Sequence, residues 1–596
     1  MGRISPRSCR SARQLVPLRY VAPVAEHWPE WSSARVVAER PAVRVNQLGY
    51  LPDAPKQATL VADAAESLEF NVLDPSGRPA WRGRSSPWPI RPEPTSGLNV
   101  HVLDFSASGV EGAGLRIATE GATSHPFRVA ADVYADLAPD ALRVLYLLRS
   151  GCAIRDDRAP GYARPPGQVG DSAVPAWTGA DAERLYPGWS PSGTFDVSGG
   201  WYDAGDYGKY VVSGAIALWQ LLNALDARRR AVHGADDEHA RLLEEECRWQ
   251  LDWMLRMQVP PGRPLAGMAF HRVHGTEWSP LPGWPHADPT RRVLHRPSTA
   301  ATLQLAAVTA QGARLFGAED PAYAARLLTA ARITQAAAHA HPLLIAPDDE
   351  GAFGGGPYGD DMLADDFYWA AAELWLATGE PAHLAELTAS DQHTADVFDP
   401  AGFDFDRVTA PARLDLAVVS SELPGHDRFR AGVVEAAERL LRLQSGQPWG
   451  QPYAPSAGWD WGSNGRVLNN LVVLATAHLV TNEQRCRSAV ATGMDYLLGR
   501  NALGQSYVTG YGTDSTAHLR TRQFGHDLDP TLPPPPAGAL AGGANSRRHP
   551  GFPSDPRLDD LPPQCCYLDE PTSETTNDIC IRWNAPLVHI AGFLAT

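Results

Sequence analysis

The stretch Asp196-Val197-Ser198-Gly199-Gly200-Trp201-Tyr202-Asp203-Ala204-Gly205-Asp206-Tyr207-Gly208-Lys209-Tyr210 holds two carboxylates three positions apart on a Gly-rich turn. Clustered carboxylates raise one another's pKa and can divide the work of general base and water positioning. Small residues at 204 and 205 leave the space beside them open to a ligand. Flanking Trp and Tyr suit the C–H faces of sugar rings. The chemistry this implies is glycoside hydrolysis, which needs a third acid, distant in sequence, as proton donor.

Such a site must be held by a large scaffold, and the chain of 596 residues provides one. Hydrophobic residues make up 44% and charged residues 20%, a globular composition. The net charge of −16, with no basic run, argues against nucleic acid and anionic membranes as partners. No apolar run reaches transmembrane length. Residues 1–40 are rich in Arg and Pro and read as a disordered leader. Their apolar patch, Leu15 to Ala25, is broken by Pro17, Arg19 and Pro23, a poor signal-peptide core. Seven cysteines, with Cys565 and Cys566 adjacent and no CxxC pair, suggest neither a zinc site nor a disulfide scaffold.

Residues 41–130 read as short strands: Val43–Leu48, Leu68–Leu73 and Val100–Leu103 alternate, with turn signals at Asp74-Pro75-Ser76-Gly77 and Pro92-Glu93-Pro94-Thr95. A small β-sandwich is expected. From residue 131 to 596 helical periodicity takes over: Gly214–Arg229, Asp237–Gln258, Ser298–Phe316, Ala322–Ala338, Asp365–Thr378, Ala431–Leu443, Val467–Val480, Glu483–Leu498 and Trp583–Leu594. Long loops, 153–200, 260–297, 345–364 and 500–575, separate them. Periodicity leaves two architectures open, an α/α toroid and a plain bundle with decorated loops.

Asp196–Tyr210 resembles the catalytic-base signature of glycoside hydrolase family 9, the inverting cellulases. Further blocks match in order: Val45-Asn46-Gln47-Leu48-Gly49-Tyr50, similar to the start of an immunoglobulin-like module, then Asp365–Leu374, Trp461–Asn464, Leu468–Asn470, Tyr496–Asn501, Ser506–Gly510 and Trp583–Val588. The resemblance implies a multidomain chain: an all-β immunoglobulin-like sandwich followed by an all-α (α/α)6 barrel. It implies hydrolysis of β-1,4-glucosidic bonds in cellulose-like glucans or their oligosaccharides. Asp206 would be the base and Asp203 the holder of the attacking water. The family's acid is a Glu within an Asn-Glu pair; here the matching pair is Asn577-Asp578. Aspartate is shorter by one C–C bond, about 1.5 Å. Asp578 is the expected acid, with Glu574 and Glu570 as other candidates. Two other readings stay open: a carbohydrate-binding protein without turnover, and a hydrolase of another β-1,4-linked sugar.

The family's substrate-gripping His-x-Arg motif matches in two registers, His518-Leu519-Arg520 or Arg520-Thr521-Arg522. A bidentate Arg can hold vicinal hydroxyls, and a solvated basic loop is equally open. Tyr207 and Trp461 are expected to touch substrate, Trp459 and Trp201 are candidates for stacking, and Trp369 reads as core. Asp361, Asp365 and Asp366 open a helix, where the helix dipole alone favours carboxylates. The resemblance implies that they bind structural calcium there, with Asp406. Zinc is not expected, because Cys152 has no following Cys or His before the base motif. The partner implied is a β-glucan or oligosaccharide, with the chain acting as a monomer. The family is secreted, yet no signal peptide is visible, so export and a cytoplasmic location both remain open.

Overall fold

The computed structural model describes residues 40–232, 237–347, 354–419, 422–549, 552 and 555–596. The expected leader therefore lies outside the described residues, up to residue 39.

The first ten strands form a sandwich: β1 (Val43–Arg44), β2 (Gly49–Tyr50), β3 (Gln57–Val61), β4 (Glu69–Leu73), β5 (Pro79–Arg84), β6 (Ser86–Pro87), β7 (Val100–Asp104), β8 (Gly112–Thr119), β9 (Ala122–Thr123) and β10 (Phe127–Val129). One sheet runs β1-β3-β7-β6. The other runs β2-β10-β8-β4-β5, with β9 folded onto β8. Alternation sets the faces: Phe70 and Val72 turn inward while Glu69 faces solvent. Val72 pairs with Ile117, and Leu60 with His101. Between the sheets Tyr50 lies edge-on to Phe105 and Phe127, at 5.1 and 5.3 Å. This core, with Val43, Leu103 and Leu115, is separate from that of the following domain.

The helical part contains α1 (Leu137–Leu147), α2 (Ala180–Leu185), α3 (Val211–Ala231), α4 (Glu238–Met257), α5 (Thr299–Phe316), α6 (Pro321–Ala340), α7 (Ala364–Thr378), α8 (Pro381–Ala389), α9 (Thr409–Val418), α10 (His426–Ser445), α11 (Ser463–Thr481), α12 (Gln484–Leu497), α13 (Glu574–Asn577) and α14 (Ile581–Leu594). Their starts follow local chemistry. Asp237 caps α4 by accepting from His239 and Ala240 N–H, and Ser298 caps α5 through Ala301 N–H. Asp320 caps α6, with Pro321 in its first turn.

Helices α3, α5, α7, α9, α11 and α14 pack in that order into a ring, which closes where α14 meets α3. Each is backed by an outer helix: α4, α6, α8, α10, α12 and α1 respectively. This is the (α/α)6 barrel, and the plain bundle is excluded. Burial separates the layers. In α5 nearly every residue from Thr299 to Ala313 is buried. In α4 a single stripe is, through Leu243, Cys247, Leu251 and Met254. Inner helices alternate with outer ones that run back, so the inner helices all start at one end. The loops gathered there build the site.

The sandwich is fastened to the barrel by buried polar contacts. Arg500, after α12, reaches Thr59 Oγ1 at 3.2 Å and Gln57 Oε1 at 3.1 Å. Asn46 donates to Asp495 Oδ1 at 2.9 Å. Gln47 donates to Gly504 O and accepts from Asp514 N–H, at 2.9 and 2.8 Å.

Candidate active site

The Asp196–Tyr210 segment leads into α3, and Asp578 lies three residues before α14, the neighbouring inner helix. The two segments are zipped together. Ala204 pairs with Cys580 as an antiparallel bridge, and Ile581 N–H donates to Asp203 O at 2.8 Å. Gly205 N–H donates to Asp578 Oδ1 at 3.0 Å. A side chain at 205 would have no room, since a Cβ would sit 2.3 Å from Arg520 O and 2.7 Å from Asp578 Oδ1.

The base segment is also held from behind. Lys209, wholly buried, pairs with Asp171 at 2.7 Å and donates to Val197 O and Gly199 O, both at 2.8 Å. Arg292 pairs with the same Asp171 at 3.0 Å and donates to Tyr207 O at 2.8 Å. One carboxylate thus anchors the cations that grip both ends of the turn.

The three acids sit in different surroundings. Asp203 is buried, and its carboxylate accepts from the Ser213 and Tyr358 hydroxyls. Burial pushes its pKa up to about 6, against the pull of those two hydrogen bonds. Asp206 accepts from Gly208 N–H at 2.9 Å and from Tyr210 OH at 3.2 Å through the same oxygen, Oδ2. Asp578 Oδ1 takes Gly205 N–H and, at 2.9 Å, Ile579 N–H. Burial holds the Asp578 carboxyl well above the usual carboxylate range, which favours the protonated form that a general acid needs. Asp578 is tied to main chain through Oδ1, which leaves Oδ2 as the oxygen that can present a proton.

The loop from Thr516 to Arg522 runs alongside Asp578, and Arg520 N–H donates to Asn577 O at 2.9 Å. His518 pairs with Asp527 at 2.6 Å, and Arg520 with Glu574 at 3.2 Å. Arg522 directs Nη1 to Gly205 O and Nε to Ser279 O, at 2.8 and 2.9 Å, so it braces the base turn. Asp569 orders the same loop by accepting from His518 N–H, Thr516 Oγ1 and Asn577 Nδ2. Glu570 is paired with Arg557 at 2.7 Å through each of its oxygens, which takes it out of the role of acid.

The aromatic expectations change. Tyr207 is buried and its hydroxyl donates to Gly283 O, so it faces protein. Trp201 and Trp459 are 1% exposed, so neither offers a ring face to a sugar, while Trp369 is wholly buried, in keeping with its reading as core. Trp461 is partly exposed, edge-on to Phe552 at 4.9 Å. Sequence reading passed over Tyr358, Ser213, Asp171 and Arg292. Only the small residue at 205 carried a signal, and its role is close approach of main chain to Asp578.

Comparison with known proteins agrees with this geometry. Residues 134–591 match the model for glycosyl hydrolase family 9, and residues 38–124 match that for the cellulase N-terminal ig-like domain. The chain belongs to glycosyl hydrolase family 9.

Among its relatives is endoglucanase C of Cellulomonas fimi, 48% identical over 93% of this chain, of whose length the chain spans 52%. A cellulose 1,4-beta-cellobiosidase of Acetivibrio thermocellus is 36% identical over 94% of this chain and 68% of its own. Of solved structures, a metagenome-derived family 9 endoglucanase superposes with a TM-score of 0.81 at 28% identity, covering 93% of this chain and 98% of that one. A family 9 protein of Bacteroides ovatus gives 0.80 at 27% identity, with the same coverage.

A second acidic group lies at the start of α7 in this family 9 barrel. Asp365 and Asp366 are buried there, together with Asp360. Asp361 is exposed, so the preceding residue takes the inward position. Asp360 Oδ2, Asp365 Oδ1, Asp366 Oδ2 and Asp406 Oδ1 are buried oxygens without a hydrogen-bond donor among the described residues. Burial first, and their mutual charge after it, push Asp360 up to about 7 and Asp365 up to about 6. Asp404 is excluded from the group, because Arg466 at 3.4 Å and Arg582 take its Oδ2. Among the described residues no three His, Cys, Asp or Glu side chains form a preformed metal cage.

Proposed function

We propose that this chain hydrolyses β-1,4-glucosidic bonds of cellulose-like glucans or their oligosaccharides by single-displacement inversion. One observation carries the reading: the Asp578 carboxyl, whose pKa burial raises, is hydrogen-bonded to the turn that bears Asp203 and Asp206. A candidate proton donor and a pair of acceptors are thereby tied together through adjoining main chain. Asp206 takes a proton from water as that water attacks the anomeric carbon. Asp203, steadied by Ser213 and Tyr358, orients the water. Asp578 passes its proton to the leaving oxygen, so the departing sugar leaves as an alcohol. His518 and Arg520, on the adjoining loop, and the partly exposed Trp461 would contact the glucan.

Orphaned carboxylate oxygens at the start of α7 and in the 403–406 loop are the hard donors that calcium takes, and we assign calcium to Asp360, Asp365, Asp366 and Asp406, which would have to close around the ion as it binds. Its role is structural: it would neutralise buried negative charge and tie the 358–366 segment, which carries Tyr358, to the 403–406 loop.

Reducing-sugar release from cello-oligosaccharides, with the anomeric configuration of fresh product followed by NMR, tests the reading. α-Configured product is expected. Asp206→Asn should lose about 10²–10⁴-fold in kcat. Binding of cello-oligosaccharides with no release, by this protein or by Asp578→Glu, would instead make it a carbohydrate-binding protein.

A further inference from the structure

Asp578 lies between opposed charges. Arg520 pairs with it as a short parallel bridge, so the Arg520 side chain starts beside the acid. Four residues before Asp578, Glu574 opens the short helix α13 and places Oε1 3.2 Å from Arg520 Nη2. Both side chains are sheltered, at 16% and 24% exposure. The charged groups acting on Asp578 are Arg520, which favours its anion, and Glu574 and Asp206, which favour its proton. A guanidinium free to settle on a neighbouring carboxyl lowers its pKa by about 1–3 units. A deprotonated Asp578 has nothing to give the leaving oxygen.

We propose that Glu574 is a positioning residue for the acid: its ion pair holds the Arg520 guanidinium off Asp578, so that Asp578 stays protonated for catalysis. The inference rests on the reading of Asp578 as the proton donor. It also gives a use to the carboxylate at 574, a candidate acid in its own right, without asking it to reach the substrate. The pair works in the background of every turnover. After each proton transfer Asp578 must regain a proton from water, and a captured Asp578 carboxylate would do so only in more acidic solution.

The experiment is the pH profile of kcat/KM on cello-oligosaccharides, whose alkaline limb reports the acid of the free enzyme. Glu574→Gln should move that limb down by about one pH unit or more, with activity preserved on the acid side. Above the wild-type limb, activity then falls about tenfold for every pH unit by which the limb has moved. Adding Arg520→Met to Glu574→Gln should carry the limb back up, whatever it does to KM, and Glu574→Asp should lie between. An unmoved limb in folded Glu574→Gln, or a limb that Arg520→Met fails to restore, overturns the proposal. The underlying reading is tested separately by Asp578→Asn. It should lose cello-oligosaccharide turnover yet keep cleavage of dinitrophenyl cellobioside, whose leaving group needs no proton. If Asp578→Asn retains oligosaccharide turnover, that reading fails. If Glu574→Gln shows the Asp578→Asn pattern at every pH, Glu574 is itself the donor and both fall.

Discussion

The backbone N–H of Gly205 donates a 3.0 Å hydrogen bond to Oδ1 of Asp578, joining residues 373 positions apart. Its neighbours reinforce it: Arg522 N–H donates to Gly205 O at 3.1 Å, and Ile581 N–H to Asp203 O at 2.8 Å. Separation of base and acid is therefore set by main chain laid against main chain, which is stiffer than side chains reaching from two helices. This matters most for an acid on a short stem, which cannot swing to make up lost reach.

Gly205→Ala tests that arrangement. The new Cβ would meet Arg520 O at 2.3 Å, and a carbonyl embedded in the loop cannot step aside as a flexible side chain would. The acid strand must shift outward, and a displacement near 1 Å costs about a hundredfold in rate. A loss of that order in kcat on cello-oligosaccharides is expected, with the melting temperature little changed. Activity close to wild type would mean that the acid is positioned from elsewhere.

Tyr358→Phe should move the acid limb of the pH profile. The Tyr358 and Ser213 hydroxyls stabilise the Asp203 anion, against burial, which pushes the group up to about 6. Removing one donor raises that pKa further, so more acid is tolerated less well and the limb moves to higher pH. A hydrogen bond to a charged group contributes about 1.5–3 kcal/mol, so the limb should move by about one pH unit or more. A limb that stays put in kcat/KM would assign it to a group other than Asp203.

How much of this was readable in advance depended on range. The base turn was legible because its chemistry is local: two acids, glycines and aromatics within one short segment. Tyr358 was not, since it touches Asp203 from 155 residues away and its surroundings signal only a turn. It adopts a left-handed φ of 49°, which few non-glycine residues take and which the sequence around it does not announce. Helix α4 announced itself through its one buried stripe. Helix α9 did not: Thr409 to Ala417 are all buried, so no polar face marks a period, and Pro411 in its first turn reads as a break. Ring closure between α3 and α14 lies beyond any local pattern, and only the resemblance to family 9 supplied it.

Chelation should destabilise the barrel. The orphaned oxygens of Asp360, Asp365, Asp366 and Asp406 are buried with no donor among the described residues. Ligand binding to the native state stabilises by about 2.7 kcal/mol at a hundred times Kd. Calcium at that excess should raise Tm by about 2 °C over the protein in EDTA, and Asp366→Asn should abolish the response. Identical melting curves with calcium and with EDTA would remove the calcium assignment.

Arg500→Met tests whether the sandwich and the barrel unfold together. Arg500 is 1% exposed, bonds to Thr59 and Gln57 of the sandwich, and lies 3.8 Å from Asp495 of the barrel. Removing one partner of a buried pair costs about 3–5 kcal/mol, because the other is left uncompensated. The cost should depend on pH. Burial already raises Asp495 to about 7 despite the Arg500 cation, while the unfolded value is about 3.9. A raised carboxyl contributes stability that is complete below the unfolded value and is lost as pH rises through the folded one. Without Arg500 the folded value climbs further, so more is lost on the alkaline side. Urea denaturation should therefore give a deficit in Arg500→Met that is small in acid and grows above neutrality. It should remain a single transition if Asn46 and Gln47 still tie the two domains. A deficit independent of pH would show that the hydrogen bonds to Thr59 and Gln57, and not the charge on Asp495, are what Arg500 supplies.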